Sequence, residues 1–558
     1  EQRGRLLVPK CKSQINSANP KWYAHMIKKV KITGYRIFES FEFQPHENLN
    51  LIVGANESGK STLLEAIALA LTGRINGRRA SEELNPYWFN TEVVDDFVES
   101  RKAGENVAPP EIRIELFFED REELQHLCGA VNSEVPTLAC PGTSLRIVPN
   151  PEYADDFERW MESPSDILPV EYYMEDWRDF ADNRLTQRPR QLITAFIDSR
   201  TVRSAHGVDY HLRNILSDNL DPSERAAVSL AYRQVKVSLS DGPLREINDR
   251  IGVGQASLHD KPISLAMDQS PRTSWETAIT PHVDRVPFSM SGQGQQAAIK
   301  ISLAMDRHSD RAQFVMVEEP ENHLSHTSLA ILISRMQDLA GEQQQLFITT
   351  HSSFVLNRLG LSSLLLVGPS GAPRIPELRD DTVRYFQKLP GYDTLRLALA
   401  DKVVLVEGPS DEIIFERVFV DIYGRRPIEL GIDVISMGGL SAARALELCA
   451  SLGKRVAVVR DNDGIEADKL REPIDDFLEA GERELFFGEI EHGNTLEPQL
   501  VHFDGEDKIR RMLGISARAN LANWMERGKT EAALRIASSD ETLNAPDYLR
   551  AAAEFIHG

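Results

Sequence analysis

The sequence predicts an α/β protein built from two successive parallel-sheet units, the first interrupted by a helical insertion. Three observations carry that expectation. An apolar strand from Leu49 to Val53 runs into the glycine loop Gly54-Ala55-Asn56-Glu57-Ser58-Gly59-Lys60-Ser61, and an apolar helix follows from Thr62 to Leu71. A second apolar strand, Phe314 to Val317, ends in Glu318 and Glu319. From about Asp401 onward, short apolar strands alternate with helical stretches, the pattern of a parallel sheet.

Size and composition agree with a multidomain globular chain. Its 558 residues suffice for two to four domains, at roughly 100–200 residues each. With 41% hydrophobic and 27% charged residues, wholesale disorder and a fibrous repeat are excluded. No run approaches the roughly 20 apolar residues of a membrane helix, so a cytoplasmic chain with no membrane partner is expected. The four cysteines, at 11, 128, 140 and 449, form no CxxC pair, which argues against zinc fingers and a disulfide framework. The formal charge of −22 excludes a uniformly basic nucleic-acid surface. Any DNA contact must use local patches, or metal ions set among carboxylates.

Residues 1–25 carry Arg3, Arg5, Lys10, Lys12 and Lys21 against Glu1, with neither a signal-peptide core nor a fold pattern, and read as a tail or an expression remnant. Structure is expected from Met26. Ile27, Val30 and Ile32 alternate with lysines, and Phe41 and Phe43 flank Glu42, which predicts strands leading to the glycine loop. That loop is a full G-x-x-x-x-G-K-[ST] match. Its backbone N–H groups can curl around phosphates, Lys60 can neutralise terminal phosphate charge, and the Ser61 hydroxyl suits Mg²⁺. Gly54, Asn56, Gly59, Lys60, Ser61 and Thr62 are therefore the candidate nucleotide contacts, and Ser61 also a candidate metal ligand.

Downstream, the strand ending in Glu318-Glu319 puts two acids where a carboxylate can bind Mg²⁺ through water and its neighbour can activate a water. Glu318 takes the metal role and Glu319 the base role. Ser291-Gly292-Gln293-Gly294-Gln295 precedes a helical run, and Leu346 to Thr350 is a strand ending at His351. Alone, that turn is more often a helix cap and such a histidine structural; Ser291, Gly292, Gly294, Gln295 and His351 become candidate nucleotide contacts only through a family resemblance. About 230 residues separate Ser61 from Ser291, too few for a long coiled-coil arm. They include an alternating strand from Glu111 to Phe118, a proline-rich stretch from Cys140 to Pro151, and a helical run from Ser223 to Arg250 broken at Asp241-Gly242-Pro243. The resulting division is a first lobe at 26–151, a helical insertion and dimerisation element at 152–280, and a second lobe at 281–400.

The last unit is expected at 401–558. Val403 to Val406 ends in Glu407-Gly408-Pro409-Ser410-Asp411, Ile432 to Ile435 leads to Gly438-Gly439, and Arg455 to Val459 ends in Asp461-Asn462-Asp463-Gly464. Functional groups of an open α/β sheet gather at the carboxyl ends of its strands. Glu407, Asp411, Asp461 and Asp463 all fall there and would repel one another unless cations sit among them, which suits Mg²⁺ or Mn²⁺.

Taken in order, the glycine loop, the Ser291 turn, the Glu318-Glu319 strand end and His351, together with Gly34-Tyr35-Arg36-Ile37-Phe38, resemble an ABC-type ATPase head of the SMC-like class. That likeness implies ATP binding and a head-to-head dimer in which one subunit's Ser291 loop caps the other's nucleotide. The sequence departs from the pattern at Glu318, where such heads usually carry Asp, and in an extra residue between Gly292 and Gly294. No glutamine lies between Gln44 and Gln125 to serve as a Q-loop, leaving Asn85 or Asn90 as substitutes. The E-G-x-x-D, G-G and D-x-D series resembles a Toprim domain, a Rossmann-like parallel-sheet unit. The combination resembles the OLD (overcoming lysogenization defect) nucleases from Met26 to about Ala537.

By that resemblance Glu497, in Asn494-Thr495-Leu496-Glu497, is a further acidic metal ligand, and Lys529, after Gly528, the late basic catalytic position. It further implies ATP and Mg²⁺ as cofactors, with Mn²⁺ an alternative at the Toprim site, and DNA cleavage in anti-phage defence controlled by nucleotide. DNA, a second copy of the chain, and a further defence protein or nucleic acid are the implied partners. The expected reaction is two-metal phosphodiester hydrolysis, with Glu407 and Asp411 at one ion, Asp461, Asp463 and Glu497 at the other, and Lys529 neutralising the phosphate. An ATP-gated DNA-binding scaffold and an SMC-like repair ATPase without nuclease activity remain the alternatives.

Overall fold

The computed structural model describes residues 26–75, 78–134, 138–189, 192–198, 220–252, 265–270, 275, 282–305, 313–339, 344–368, 371–372, 378–388, 394–438 and 441–558. The expected tail at 1–25, Gly439, and parts of the insertion at 199–219, 253–264, 271–274 and 276–281 lie outside the described residues. The chain forms two compact units. The first ends at Thr350 and includes Gly368–Ala372, while the second takes in Val53–Asn56 and the chain from His351, apart from that short segment, to Gly558.

The first unit holds two sheets. The antiparallel one contains β1 (Ile27–Tyr35), β2 (Phe38–Phe43), β4 (Ile112–Phe118), β5 (Cys140–Pro149) and β6 (Tyr173–Asp179). Its main path runs β2-β1-β4-β5, with β6 pairing along the other side of β5. The period-2 pattern works as its residues require: Val30 and Ile32 are wholly buried, while Lys29 and Lys31 on the opposite face meet Glu42 and Glu134. The parallel sheet contains β3 (Leu49–Val53), β7 (Ile193–Asp198), β8 (Gln313–Glu318) and β9 (Gln344–Thr349), in the order β7-β8-β9-β3. Phe314 to Val317 of β8 are fully buried, as a strand covered on both faces must be. The register sets Glu318 beside Thr349 and Thr349 beside Ile52, so the acidic strand end and the entry to the glycine loop share one edge.

Three expectations need correction here. The 152–280 segment is not purely helical, because β6 and β7 belong to the two sheets; in β6 the charged Glu175, Asp176 and Arg178 hid the strand pattern. Its described helices are α3 (Pro222–Asp241) and α4 (Pro243–Gly252), divided at Gly242. The proline-rich stretch at Cys140 is a ten-residue strand whose prolines, Pro141 and Pro149, sit next to its ends. Asn85 and Asn90 do not offer free amides for a Q-loop. Asn85 caps a 3₁₀ turn by accepting from Tyr87 N at 3.1 Å, and Asn90 caps α2 (Thr91–Lys102) through Val93 N while donating to Arg36 O at 2.8 Å.

The second unit carries a four-stranded, all-parallel sheet of β10 (Lys402–Val406), β11 (Ile432–Ser436), β12 (Arg455–Arg460) and β13 (Arg483–Phe487), ordered β11-β10-β12-β13. One face is covered by α9 (Pro409–Tyr423), α11 (Leu496–Asp504), α12 (Lys529–Ala537) and α13 (Asp547–His557). Val404, Val406, Ala457 and Val459 pack there with Ile414, Phe415, Leu500, Ile536, Leu549 and Ile556. This unit begins well before Asp401. In it α7 (Asp380–Lys388) and α8 (Thr394–Leu399) are tied to α10 (Ala442–Ser451) and β11. Glu447, 7% exposed, accepts from Arg379 N at 2.7 Å, Arg379 Nε at 3.2 Å and Thr382 Oγ1 at 2.5 Å, and Arg396 Nε reaches Asp433 at 3.1 Å.

Candidate functional site

The glycine loop sits between β3 and α1 (Lys60–Thr72), whose first turn carries no acidic residue and so leaves the helix N-terminus positive. Gly59 has φ +95°, and a Cβ there would come within 2.6 Å of the Phe38 ring, so this position excludes other side chains twice over. Ser61 Oγ donates to the Glu318 carboxylate, joining the glycine loop to the end of β8. Lys60 is buried; burial pushes its pKa below the ordinary lysine value, while Glu319 and then Glu318 act in the opposite direction. Lys60, Ser61, Glu318 and Glu319 thus gather as the motif predicts.

Glu319 adopts φ +46°, a costly conformation for a non-glycine residue. Its N–H donates to Thr349 O at 3.0 Å, and Asn322 Nδ2 donates to its carboxylate at 2.7 Å. The strained backbone and the amide together fix where this carboxylate sits. Thr350 Oγ1 donates to Glu321 at 2.8 Å, and His351, the next residue, is exposed. Ser291 lies just before α5 (Gln293–Met305), and Gln296 Nε2 donates to its carbonyl at 2.7 Å. Gly294 is required by close approach, since a Cβ would stand 2.4 Å from His323 O. The Ser291 turn is therefore seated on the turn that follows Glu319, while Gly292 and Gln295 are exposed.

In the second unit, Glu407 follows β10, Asp411 lies in the first turn of α9, and Asp461 follows β12. Asp461 N donates to Glu407 at 3.2 Å and Gly408 N to Asp411 at 3.0 Å. Burial, then Asp411, Glu407 and Glu497, push the Asp461 carboxyl up to about 8, with Lys529 opposing them. Asp411 is pushed up to about 6, chiefly by burial, with Glu407 and Glu497 adding to it. Lys529 Nζ is 3.4 Å from Glu497, whose carboxylate also accepts from Thr495 Oγ1 at 2.8 Å. Asp463 shares the turn but is exposed, with φ +49°. The named interactions group Glu407, Asp411, Asp461, Glu497 and Lys529, and the exposed Asp463 lies at their margin.

The donor chemistry fits a hard divalent cation, because among the described residues only Lys529 and Arg460 face the four carboxylates Glu407, Asp411, Asp461 and Glu497, and burial beside the other acids pushes Asp461 up to about 8. Among the described residues, no three acidic, histidine or cysteine side chains close into a ready-made ligand set.

Comparison with known proteins sorts the two units. An AAA domain matches residues 29–209 and an AAA ATPase domain residues 212–356. The TOPRIM domain of overcoming lysogenization defect-like proteins matches residues 399–463. The second unit thus carries a stretch similar to the TOPRIM domain of OLD-like proteins. Endonuclease GajA of Bacillus cereus is 26% identical over 188 residues, 32% of this chain and 31% of its own length. The chain thus spans about a third of that relative. A DNA replication and repair protein RecF from Chlorobium luteolum is 24% identical, covering 50% of this chain and 80% of its own. The C-terminal region of the Burkholderia pseudomallei OLD protein aligns over 28% of this chain and 97% of its own, at 22% identity and a TM-score of 0.25. The SMC head domain of Thermotoga maritima covers 63% of this chain and 99% of its own, at 11% identity and a TM-score of 0.28.

Domains of these OLD-type classes use a nucleotide and a divalent metal in general. Several residues around the OLD-like acidic group carried no sequence signal. Arg460, one residue before Asp461, places its guanidinium 3.8 Å from Glu407. Asn462, 1% exposed, donates to Gly488 O at 2.9 Å and Gly493 O at 2.8 Å and so anchors the acidic turn. Tyr548 arrives from α13, and burial together with Asp461, Asp411, Glu497 and Glu407 holds its phenol neutral. Arg460 could have been found by extending the expected strand Arg455 to Val459 by one residue; Tyr548 could not, since only the tertiary fold brings α13 to the sheet.

Proposed function

We propose that this chain is an ATP-hydrolysing, metal-dependent DNA endonuclease of anti-phage defence, acting in the cytoplasm as a homodimer or higher homo-oligomer. The carrying observation is the carboxylate group at the ends of β10 and β12, with Asp461 raised to about 8 and Lys529 beside Glu497. A divalent cation, Mg²⁺ or Mn²⁺, held by Glu407, Asp411, Asp461 and Glu497 would supply charge neutralisation at a phosphodiester and lower the pKa of water. Asp463 is kept as an outer contributor. Lys529 presents an ammonium where charge accumulates on the phosphate as it is cleaved. In the glycine loop, Lys60 and the backbone of Gly54 to Ser61 would hold the nucleotide phosphates with Asn56 and Thr62. Glu318 and Ser61 would hold its Mg²⁺, and Glu319, fixed by Asn322, would take the proton of the attacking water.

Self-association is supported by α3, which exposes Leu230 by 60%, Val235 by 54% and Val237 by 50%. The Ser291 to Gln295 turn and His351 are offered as contacts to a nucleotide shared between subunits.

The test is incubation of the purified protein with supercoiled and linear DNA, with Mg²⁺ or Mn²⁺, with and without ATP. Metal-dependent nicking or linearisation supports the proposal. Tight DNA retention with no cleavage under any of these conditions would favour an ATP-gated scaffold. Sedimentation of the wild type and of Leu230→Glu/Val237→Glu tests the assembly.

A further inference from the structure

A cavity of about 370 Å³ opens at the carboxyl end of β13, within the ~300–1,000 Å³ range of small-ligand sites. Its lining includes Phe487, Gly488, His492, Gln499, Phe503 and Tyr548. Gln499, on α11, is 2% exposed. Its Nε2 donates to Gly493 O at 2.8 Å and to Glu489 O at 3.3 Å. Both partners are carbonyls, so the chemistry fixes which end of the amide is nitrogen. The Oε1 left over is buried and has no hydrogen-bond partner. The amide lies against Gly488, where a Cβ would come within 2.1 Å of it. A buried acceptor without a donor is costly and calls for an occupant.

The walls say what kind of occupant. His492 stacks on His502 with centroids 4.2 Å apart and planes at 23°, and Phe503 stands edge-on to His492 at 5.3 Å. Among the described residues no lysine or arginine lines the cavity, which does not suit a phosphate. Flat aromatic walls, the Gln499 acceptor and the Glu489 and Asp547 carboxylates of the lining suit a heterocycle with a π-face and an N–H edge, the chemistry of a nucleobase. The cavity is also bound to the acidic turn. Asn462 donates to the carbonyls of Gly488 and Gly493, Asp463 N donates to Asn494 O at 3.0 Å, and Glu497 precedes Gln499 by two residues on α11.

We infer that this cavity is a nucleobase subsite that takes one unstacked base of the DNA strand lying at the acidic group, its N–H edge donating to Gln499 Oε1. The assignment rests on the proposed nuclease reading, and it adds a base-reading element beside the cleavage position. Pulling one base from the stack costs energy that stacking on the aromatic walls offsets, and this fixes the register of the strand over the carboxylates.

The test uses the full chain with single-stranded and duplex oligonucleotides carrying 2-aminopurine at successive positions, in Ca²⁺ so that binding is read without requiring cleavage. The fluorescence response is expected at one position. Ala551→Trp, at an exposed position of α13 on the cavity rim, fills the space without touching the core. It should abolish that response and weaken binding about 10-fold, the loss of one stacked base. Gln499→Met, which keeps bulk and removes the acceptor, should change base preference at one position next to the cut rather than lower cutting uniformly.

A response equal at all positions, or an Ala551→Trp protein identical to the wild type, overturns the subsite. So does full loss of the strand response on adding free deoxyadenosine monophosphate at equal base concentration, which marks a nucleotide pocket instead. Cutting with a position-independent signal removes the subsite and leaves the nuclease reading intact. A position-specific signal without cutting in Mg²⁺ or Mn²⁺ does the reverse.

Discussion

Replacing Asp461 by Asn should stabilise the metal-free protein at alkaline pH even as it removes activity. The Asp461 carboxyl titrates near 8 in the fold against 3.8 for an unperturbed aspartate. Between those values the folded chain keeps a proton that the unfolded chain has released, so stability is lost as pH rises through the window. The full shift of about four units has a ceiling of roughly 5–6 kcal/mol at about 1.36 kcal/mol per unit. Relaxation of Glu407, Asp411 and Glu497 and entry of water reduce this, and an effect of about 1–3 kcal/mol is expected. For a unit of some 200 residues that corresponds to about 3–8 °C in Tm. Calorimetry in EDTA from pH 4.5 to 8.5 should show Asp461→Asn melting above the wild type at pH 8, with the gap closing toward pH 4.5. Saturating Mg²⁺ should raise the wild type more than the variant. Equal melting temperatures at pH 8, or a gap that widens in acid, would refute the idea that burial beside other carboxylates raises Asp461.

Other outcomes follow from single contacts. Lys60→Ala should lose nucleotide binding, whereas Glu319→Gln should bind nucleotide normally and release phosphate about 100-fold more slowly, as separate binding and turnover assays would reveal. Gly294→Val should displace the Ser291 turn from His323 and lower ATP turnover with little change in nucleotide affinity, because the clash is with a backbone carbonyl 2.4 Å away. Glu447→Ala should cost about 2–4 kcal/mol in denaturant unfolding, since the Arg379 and Thr382 donors lose their acceptor.

What could be read from the chain was what is contiguous in it. Gly54 to Ser61 is a local motif whose strand, loop and helix follow one another, and Glu407, Asp411 and Asp461 announce themselves by standing at the ends of apolar strands. Glu497 and Lys529 were indicated by family likeness, and only the fold brings their side chains to 3.4 Å. Strand β6, Tyr-Met-Glu-Asp-Trp-Arg-Asp, hides its pattern because half-buried charged residues occupy positions paired with β5. Helices α7 and α8 gave no hint that they belong with the second unit, because the carboxylates they meet, Glu447 for α7 and Asp433 for α8, lie 65 and 37 residues downstream. Gln499 and Tyr548 were illegible for the same reason: their meaning depends on Gly488 and Asp461, residues placed beside them by packing alone.

The central claim is that a nuclease centre in the second unit is chemically separate from an ATPase centre in the first. Plasmid cleavage and phosphate release, measured side by side for the wild type and Asp461→Asn in Mg²⁺ and Mn²⁺, test it most directly. The expected result is at least a 100-fold loss of cleavage, about 2.7 kcal/mol of transition-state stabilisation, with phosphate release unchanged. Cleavage at the wild-type rate by a correctly folded Asp461→Asn protein would contradict the account.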